Sequence, residues 1–240
     1  VFNSLLDRLS AAFEQQRQFM ADASHELRTP LAVVRAESEV SLARRDRPAG
    51  EYIDSLDIVR EESVRLSQIV EDLFILARAD SRQKQPKFEV VYLDELLADA
   101  VRSLRVLAAD KDIELSLVVA EETAVSGDES LLHRLFSNLI HNAIKFSPNG
   151  SIVTVVVSRT ANTAVVKVQD QGPGIAVEDL QNVFKRFFRG DKVRNRDVGN
   201  GAGLGLSIAQ WIAELHNATI EISCSDSRGT TFDVKFSLQN

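Results

Sequence analysis

Cysteine is nearly absent from this chain: Cys224 stands alone, so no intrachain disulfide can form and a reducing compartment is the natural setting. No run approaches the roughly 18 to 20 continuous apolar residues of a membrane span, and no signal peptide is visible. The sequence as it stands is therefore expected to be soluble. No Gly-Lys dipeptide occurs, which excludes the phosphate loop ending in Gly-Lys-Ser/Thr, and neither glycine cluster fits the dinucleotide GxGxxG pattern in a βαβ setting. An excess of positive charge is missing too. The formal charge of -7 argues against a nucleic-acid surface, although local cations can still hold a compact anion such as a nucleotide. Glycine and proline are scarce at the start, with two prolines and one glycine in residues 1–80.

That first region carries helical spacing throughout. Tyr52, Leu56, Val59, Ser63, Leu66, Val70, Leu73 and Ala77 alternate four- and three-residue steps, as in a coiled-coil seam. Upstream, Phe13, Met20, Leu27 and Val34 recur every seven residues, and Ala23, Leu31 and Leu42 widen the stripe. The break Arg45-Asp46-Arg47-Pro48-Ala49-Gly50 predicts an antiparallel two-helix hairpin. Each helix of a lone hairpin leaves an apolar stripe in water, so a homodimer closing a four-helix bundle is expected. Val1-Phe2-Asn3-Ser4-Leu5-Leu6 starts in mid-pattern without a cap, as expected of a piece of a longer, membrane-tethered chain.

Ser81-Arg82-Gln83-Lys84-Gln85-Pro86 is polar and reads as a linker, and beyond it the periodicity changes. Phe88–Val91, Ile113–Leu117, Ile152–Val157, Val165–Val168, Thr219–Ile222 and Thr231–Phe236 read as strands. Leu93–Asp110, Glu129–Phe146 and Leu204–Leu215 read as helices. The mixture predicts layers, with one sheet covered by helices on one face.

Several clusters carry chemistry. In Asp170-Gln171-Gly172-Pro173-Gly174-Ile175 an acid sits at a strand end before a glycine turn, where it can accept a bond from an exocyclic amine such as adenine's or merely stabilise the turn. Gly199-Asn200-Gly201-Ala202-Gly203-Leu204-Gly205-Leu206 can bring backbone N–H groups to phosphate at a helix start; a flexible surface loop is the alternative. Asn138, Asn142 and Lys145 share one helix face, suited to a hard cation and to phosphate, or simply to solvent. Phe184-Lys185-Arg186-Phe187-Phe188-Arg189-Gly190 reads as a hydrophobic anchor, and residues 191–197 as a polar lid.

In Ala23 through Leu31, His25 stands beside Glu26. A neutral imidazole, with an ordinary pKa near 6.5, is a nucleophile through one nitrogen while the other passes its proton toward a carboxylate. A histidine on the wet face of a bundle is the plain alternative. Pro30 removes the N–H that would bond the Glu26 carbonyl, so the helix is expected to be soft beside His25, and Thr29 shares the face of His25. His133 and His141 read as helix surface and site edge, and His216 as a helix-end cap.

In this order the clusters resemble the GHKL ATPase fold, and with the hairpin they resemble the transmitter region of sensor histidine kinases. Phe19–Leu31 is similar to the H box, Asn138–Pro148 to the N box, Asp170–Gly174 to the first glycine box, Phe184–Arg189 to the F box and Gly201–Leu206 to the second glycine box. Gly229-Thr230-Thr231-Phe232 is similar to the closing glycine-threonine turn. The resemblance implies an α plus α/β chain: a two-helix hairpin forming a dimeric four-helix bundle, then a GHKL-type α/β sandwich ATP-binding domain. It implies the end of a HAMP-like linker helix over 1–18, the hairpin over 19–80, a linker over 81–87 and the catalytic domain over 88–240.

Position by position, the resemblance implies His25 as phosphoacceptor, Glu26 as its orienting base, and Thr29 as the positioner of water for dephosphorylating a response regulator. Asn142 would hold Mg²⁺, with Asn138 near its water shell. Asp170 would read the adenine amine in a pocket shaped by Gly172, Gly174 and Thr230. Lys145, Gly201, Gly203, Leu204 and Gly205 would meet the phosphate tail, and Arg189 would stand near the γ-phosphate. Phe146 occupies a position where the family often has tyrosine, which removes any role for a phenolic hydroxyl. The glutamate that activates water in gyrase-like hydrolases is matched here by Asn138. The implied substrate is ATP with Mg²⁺, and the implied partners are a second copy and a response regulator receiver domain. The implied setting is the cytoplasmic portion of a bacterial inner-membrane protein, with the membrane reached only through upstream segments.

Overall fold

The computed structural model describes residues 2–43, 46–81, 86–190, 201–226 and 228–238. It divides into two compact units, Val1–Ser81 and Arg82–Asn240. Among the described residues no helix is long and apolar enough to cross a membrane.

The first unit is a hairpin of α1 (Phe2–Ala43) and α2 (Ala49–Ser81). Arg47 holds its tip. The guanidinium donates to Glu51, to Ser41 Oγ at 3.2 Å and to Ser55 Oγ at 3.3 Å, so it ties the end of α1 to the first turns of α2. Along α2 the buried positions include Ser55, Ile69 and Leu76, fourteen and seven residues apart, each one position before Leu56, Val70 and Ala77 of the expected seam. One residue is about 100° of helix. The packing stripe of the hairpin is thus a neighbour of that seam, and within one chain Leu56, Val70 and Phe74 stay exposed, as do Phe13, Met20 and Leu31 of α1.

In the second unit the elements are β1 (Glu89–Tyr92), α3 (Leu93–Ala109), β2 (Glu114–Val119), β3 (Ala124–Gly127), α4 (Glu129–Phe146), β4 (Ile152–Arg159), β5 (Thr163–Gln169), a 3-10 turn (Val177–Asp179), α5 (Gly205–Leu215), β6 (Ala218–Asp226) and β7 (Gly229–Ser237). Five strands form a sheet in the order β2-β4-β5-β7-β6, with β2 parallel to β4 and the other pairs antiparallel. The expected single sheet is corrected in one respect, because β1 and β3 form a separate antiparallel pair.

Alternation sorts the faces of the large sheet. Val153, Val155, Val157, Ala164, Val166, Val168, Phe232, Val234 and Phe236 are buried on the helix side. The helices return Leu93, Leu97, Leu132, Leu135, Phe136, Leu139, Ile208 and Ile212, all fully buried. At roughly 1.5–3 kcal/mol per buried side chain this layer supplies the main driving force. The opposite sheet face carries ion pairs, Lys167 with Asp233 at 3.4 Å and Lys235 with Glu221 at 2.6 Å.

Two ties fix the ends of the helices that matter for the site. Asp128 caps α4, its Oδ1 accepting from Leu131 N at 3.2 Å while Oδ2 accepts from Lys87 N at 3.1 Å. Asp128 N in turn donates to His216 Nε2 at 3.0 Å, and His216 Nδ1 bonds Ile212 O at 2.7 Å, which sets the proton on Nδ1. His216 is therefore more than the expected helix-end cap: it bolts the end of α5 to the start of α4. Gly127 makes room for it, since a Cβ there would lie 2.8 Å from the imidazole. Burial lowers the pKa of His216, which favours the neutral ring that this double bond requires.

Candidate functional site

On α1, Ala23 and Pro30 are buried on the side facing α2, which turns His25 and Thr29 out to solvent. Thr29 Oγ1 bonds back to His25 O at 3.4 Å, so the structure brings these two together on one face. Glu26 is half-buried about 100° round the helix, and among the described residues no hydrogen bond joins it to His25. The helix runs unbroken through Pro30, which leaves the Glu26 carbonyl without its intrahelical donor.

In the second unit the clusters separated in sequence converge. Asp170 is buried at the end of β5, and its Oδ1 accepts from Gly172 N at 2.7 Å and Thr230 N at 3.1 Å. Both bonds use one oxygen, which leaves Oδ2 as the acceptor for a ligand. Burial pushes the carboxyl above the ordinary range, more than the Gly172 and Thr230 bonds pull it down. A ligand N–H donated to it would favour the charged form.

Glycines here are places where nothing else fits. A Cβ on Gly172 would meet Asp170 Oδ1 and the Phe146 carbonyl, each at 2.9 Å. Gly174 has φ 73° and its Cβ would strike the Asp226 carbonyl; Gly229, with φ 140°, would strike that of Asp170. Gly229 was legible only as part of a turn, yet it is the residue that lets β7 start against Asp170.

The polar face of α4 looks onto the second glycine cluster. Asn138 Nδ2 donates to Gly205 O at 3.2 Å, and a Cβ on Gly201 would lie 2.9 Å from Lys145 Nζ. Lys145 also stands 5.2 Å from the centre of the Phe146 ring. Asn142 is half-buried on the same face, between Asn138 and Lys145. Leu204 is buried directly before α5 and accepts from Ser207 Oγ at 2.8 Å, which sets the helix start from which Gly203 and Gly205 present their backbone.

Phe184 packs edge-on against Phe232 at 6.3 Å, so the phenylalanine cluster is anchored on the sheet. Gly203 (φ 71°) lies against Phe187 and Phe188, where a Cβ would approach the Phe188 carbonyl to 2.8 Å. Phe187 itself has φ 60°, a strained conformation for a bulky residue. Arg189 is half-buried at the end of this segment. Gly199, Asn200 and the expected lid, 191–197, lie outside the described residues.

His141 reports the local field. Desolvation by the surrounding protein lowers its pKa although the side chain remains exposed, and Lys145, Arg134 and Lys111 nearby lower it further. In a chain of net charge -7, this end of α4 is a positive spot suited to a compact polyanion. Lys111 belongs to no local motif and reaches the end of α4 from the turn after α3.

Residues 15–82 match the model of the His Kinase A (phospho-acceptor) domain, and residues 127–240 match that of the histidine kinase-, DNA gyrase B- and HSP90-like ATPases. This chain belongs to the histidine kinases. The sensor protein kinase PmrB of Pseudomonas aeruginosa is 39% identical to this kinase chain over 218 residues, covering 91% of it and 44% of PmrB. The solved histidine kinase AdeS of Acinetobacter baumannii superposes with a TM-score of 0.71 at 24% identity, over 90% of this chain and 98% of that one. A crystal structure of the histidine kinase ThkA in complex with the response regulator protein TrrA gives 0.74 at 21% identity, over 97% of this chain and 64% of that one. At such identities the two structures speak for the fold. The kinase chain spans about half the length of the curated relatives it matches.

Proposed function

We propose that this kinase chain uses ATP to phosphorylate its own His25 and passes the phosphoryl group to an aspartate on a response regulator receiver domain. The observation that carries the reading is convergence: Lys145 on Gly201, Asn138 on Gly205, and Phe146 with Asp170 around Gly172, three sequence clusters closing on one cradle. In it Asp170 Oδ2 accepts from the adenine amine, while Gly172, Gly174 and Thr230 shape the pocket. Phe146 walls it, and Lys145, Gly201, Gly203, Leu204 and Gly205 face the phosphates. Arg189 serves as a cation on the γ-phosphate side.

Phosphoryl transfer needs in-line geometry and charge neutralisation more than covalent help. An imidazole nitrogen of His25 bonds the γ-phosphorus as the bond to the β,γ-bridging oxygen breaks. ADP leaves, and the imidazole proton passes to Glu26 or solvent. Mg²⁺, when bound, would supply neutralisation of the phosphate charge. Asn142 would offer it an amide oxygen, with Asn138 close to its water shell. Among the described residues no group of three His, Cys, Asp or Glu side chains could hold a metal alone, and one amide donor suits an ion carried mainly by phosphate and water.

The exposed seam around Leu56 and Val70, with Phe74 beside it, supports a homodimer through a four-helix bundle. The complex of ThkA with TrrA supports a response regulator as partner. Thr29, bonded back to His25 on the same exposed face, supports a second activity, hydrolysis of the regulator's phosphoaspartate. The division 1–18, 19–80, 81–87 and 88–240 and the attachment to a bacterial inner membrane through an upstream sensor complete the reading. Incubation with γ-labelled ATP and Mg²⁺ tests it. The label should be acid-labile and base-stable in the wild type and absent from His25→Ala and Asn142→Ala; label surviving in His25→Ala would refute the site.

A further inference from the structure

The last turn of α4 carries Lys145 and Phe146, and its carbonyls need donors from outside the helix. They find one far away in sequence. Lys111, at the turn between α3 and β2, brings its Nζ to within 2.7 Å of Lys145 O, 3.1 Å of Ile144 O and 3.5 Å of Ser147 O. An ammonium has three N–H donors, and here three carbonyls converge on it, at the helix end where the macrodipole favours a cation. The clip is two-sided, because Lys111 O accepts from Gly150 N at 3.2 Å in the turn that follows α4.

We propose that Lys111 is a positioning residue for the nucleotide site, acting through Lys145 and Phe146; this rests on the ATP reading above. A lysine in the last turn of a helix can fold back onto its own terminal carbonyls. Lys111 occupies the carbonyls of Ile144 and Lys145, and the Lys145 ammonium extends instead to Gly201. The same clip fixes the main chain at Phe146, whose carbonyl stands 2.9 Å from where a Gly172 Cβ would be, so it also sets the wall of the Asp170 turn. One ammonium therefore sets the phosphate side and the adenine side together. A Lys111 acting only as a helix cap would influence neither.

The test uses the full chain. Calorimetric titrations with ATP and with adenosine compare the wild type, Lys111→Met, Lys111→Arg and Lys235→Met well below every melting temperature. Lys235, paired with Glu221 on the far sheet face, controls for the lost charge. Lys111→Met should weaken both ligands about tenfold, as expected of a modest misplacement of binding groups, and Lys111→Arg about threefold, while Lys235→Met matches the wild type. If Lys111→Met fails to fold, Lys111→Arg carries the test. Unchanged affinities in the folded Lys111 variants, even with lowered melting temperatures, would overturn the proposal. So would a loss confined to ATP, because that is the signature of a charge acting directly on phosphate. A wild-type chain that binds neither ligand removes the ATP reading itself, and with it this proposal.

Discussion

Replacing Asp170 with asparagine reverses one hydrogen-bond polarity and leaves the rest of the turn in place. The amide oxygen of Asn can take over the position of Oδ1 and keep the bonds from Gly172 N and Thr230 N, now 2.7 and 3.1 Å. Its NH₂ then occupies the place of Oδ2, the proposed acceptor of the adenine amine. A bond to a charged acceptor, about 1.5–3 kcal/mol, is lost, and a donor is left facing a donor at a further cost of about 1–3 kcal/mol. ATP affinity should fall by about 2.5–6 kcal/mol, or roughly two to four decades. Guanine presents a carbonyl where adenine has its amine, so Asp170→Asn should favour GTP relative to ATP.

The unliganded variant should melt no lower than the wild type, because the pKa of Asp170 is raised by burial and the substitution removes a strained buried charge. Calorimetry with ATP and GTP, together with melting curves at increasing nucleotide, reads all of this. Wild-type stabilisation should approach about 2.7 kcal/mol at a hundredfold excess over Kd, and that of the variant should be near zero at the same ATP concentration. The raised pKa also sets a sign. In the free protein the folded state holds this proton more tightly than the unfolded state, so the contribution of Asp170 to stability falls as pH rises from 3.8 through the raised value. ATP binding, which favours the carboxylate, should strengthen over the same window. Undiminished ATP affinity in Asp170→Asn, with no gain for GTP, would refute the assignment of Asp170 to the base.

His216→Leu strands Asp128 N, while Ile212 O keeps the backbone bond from residue 216, and should cost about 1–3 kcal/mol, roughly 2–12 °C in Tm by calorimetry. Because the folded pKa of His216 lies below 6.5, the wild type should lose stability as pH falls from 6.5 through that lowered value, and the variant should lack this slope. Gly203→Ala, with φ 71° and a Cβ 2.8 Å from the Phe188 carbonyl, should weaken ATP about tenfold or more with an unchanged circular dichroism spectrum. Leu56→Glu, placed in the seam left exposed by one hairpin, should dissociate the dimer by about two to four decades in sedimentation equilibrium, since each symmetric interface buries the side chain twice at about 1.5–3 kcal/mol.

The apolar face of period 3.6 makes helix α4 legible in the sequence with the bounds that the structure has, and the structure adds Asp128 as its N-cap. The valine alternation of β4 was equally plain. β3 was not: four residues ending in Gly127 hold no pattern of their own and become a strand only by pairing with β1. In the hairpin the heptads revealed that two apolar stripes exist, but spacing alone does not say which one faces the sister helix, and the structure turns the Ile69 stripe inward. The glycine clusters were visible because few folds place glycine at alternate positions before a helix. What joins them was hidden. The reach of Lys145 to Gly201, of Lys111 to the end of α4 and of His216 to Asp128 are contacts between distant segments, and no local pattern encodes them.

Phosphate from ATP should end on His25. Fragmentation mass spectrometry under neutral-to-basic conditions, after incubation of the purified chain with Mg-ATP, measures it directly. Phosphate on the peptide fragment holding His25, lost in Asp170→Asn at an ATP concentration that saturates the wild type, is the result predicted. Phosphate on another residue, or none on His25 in a chain that demonstrably binds ATP, would contradict it.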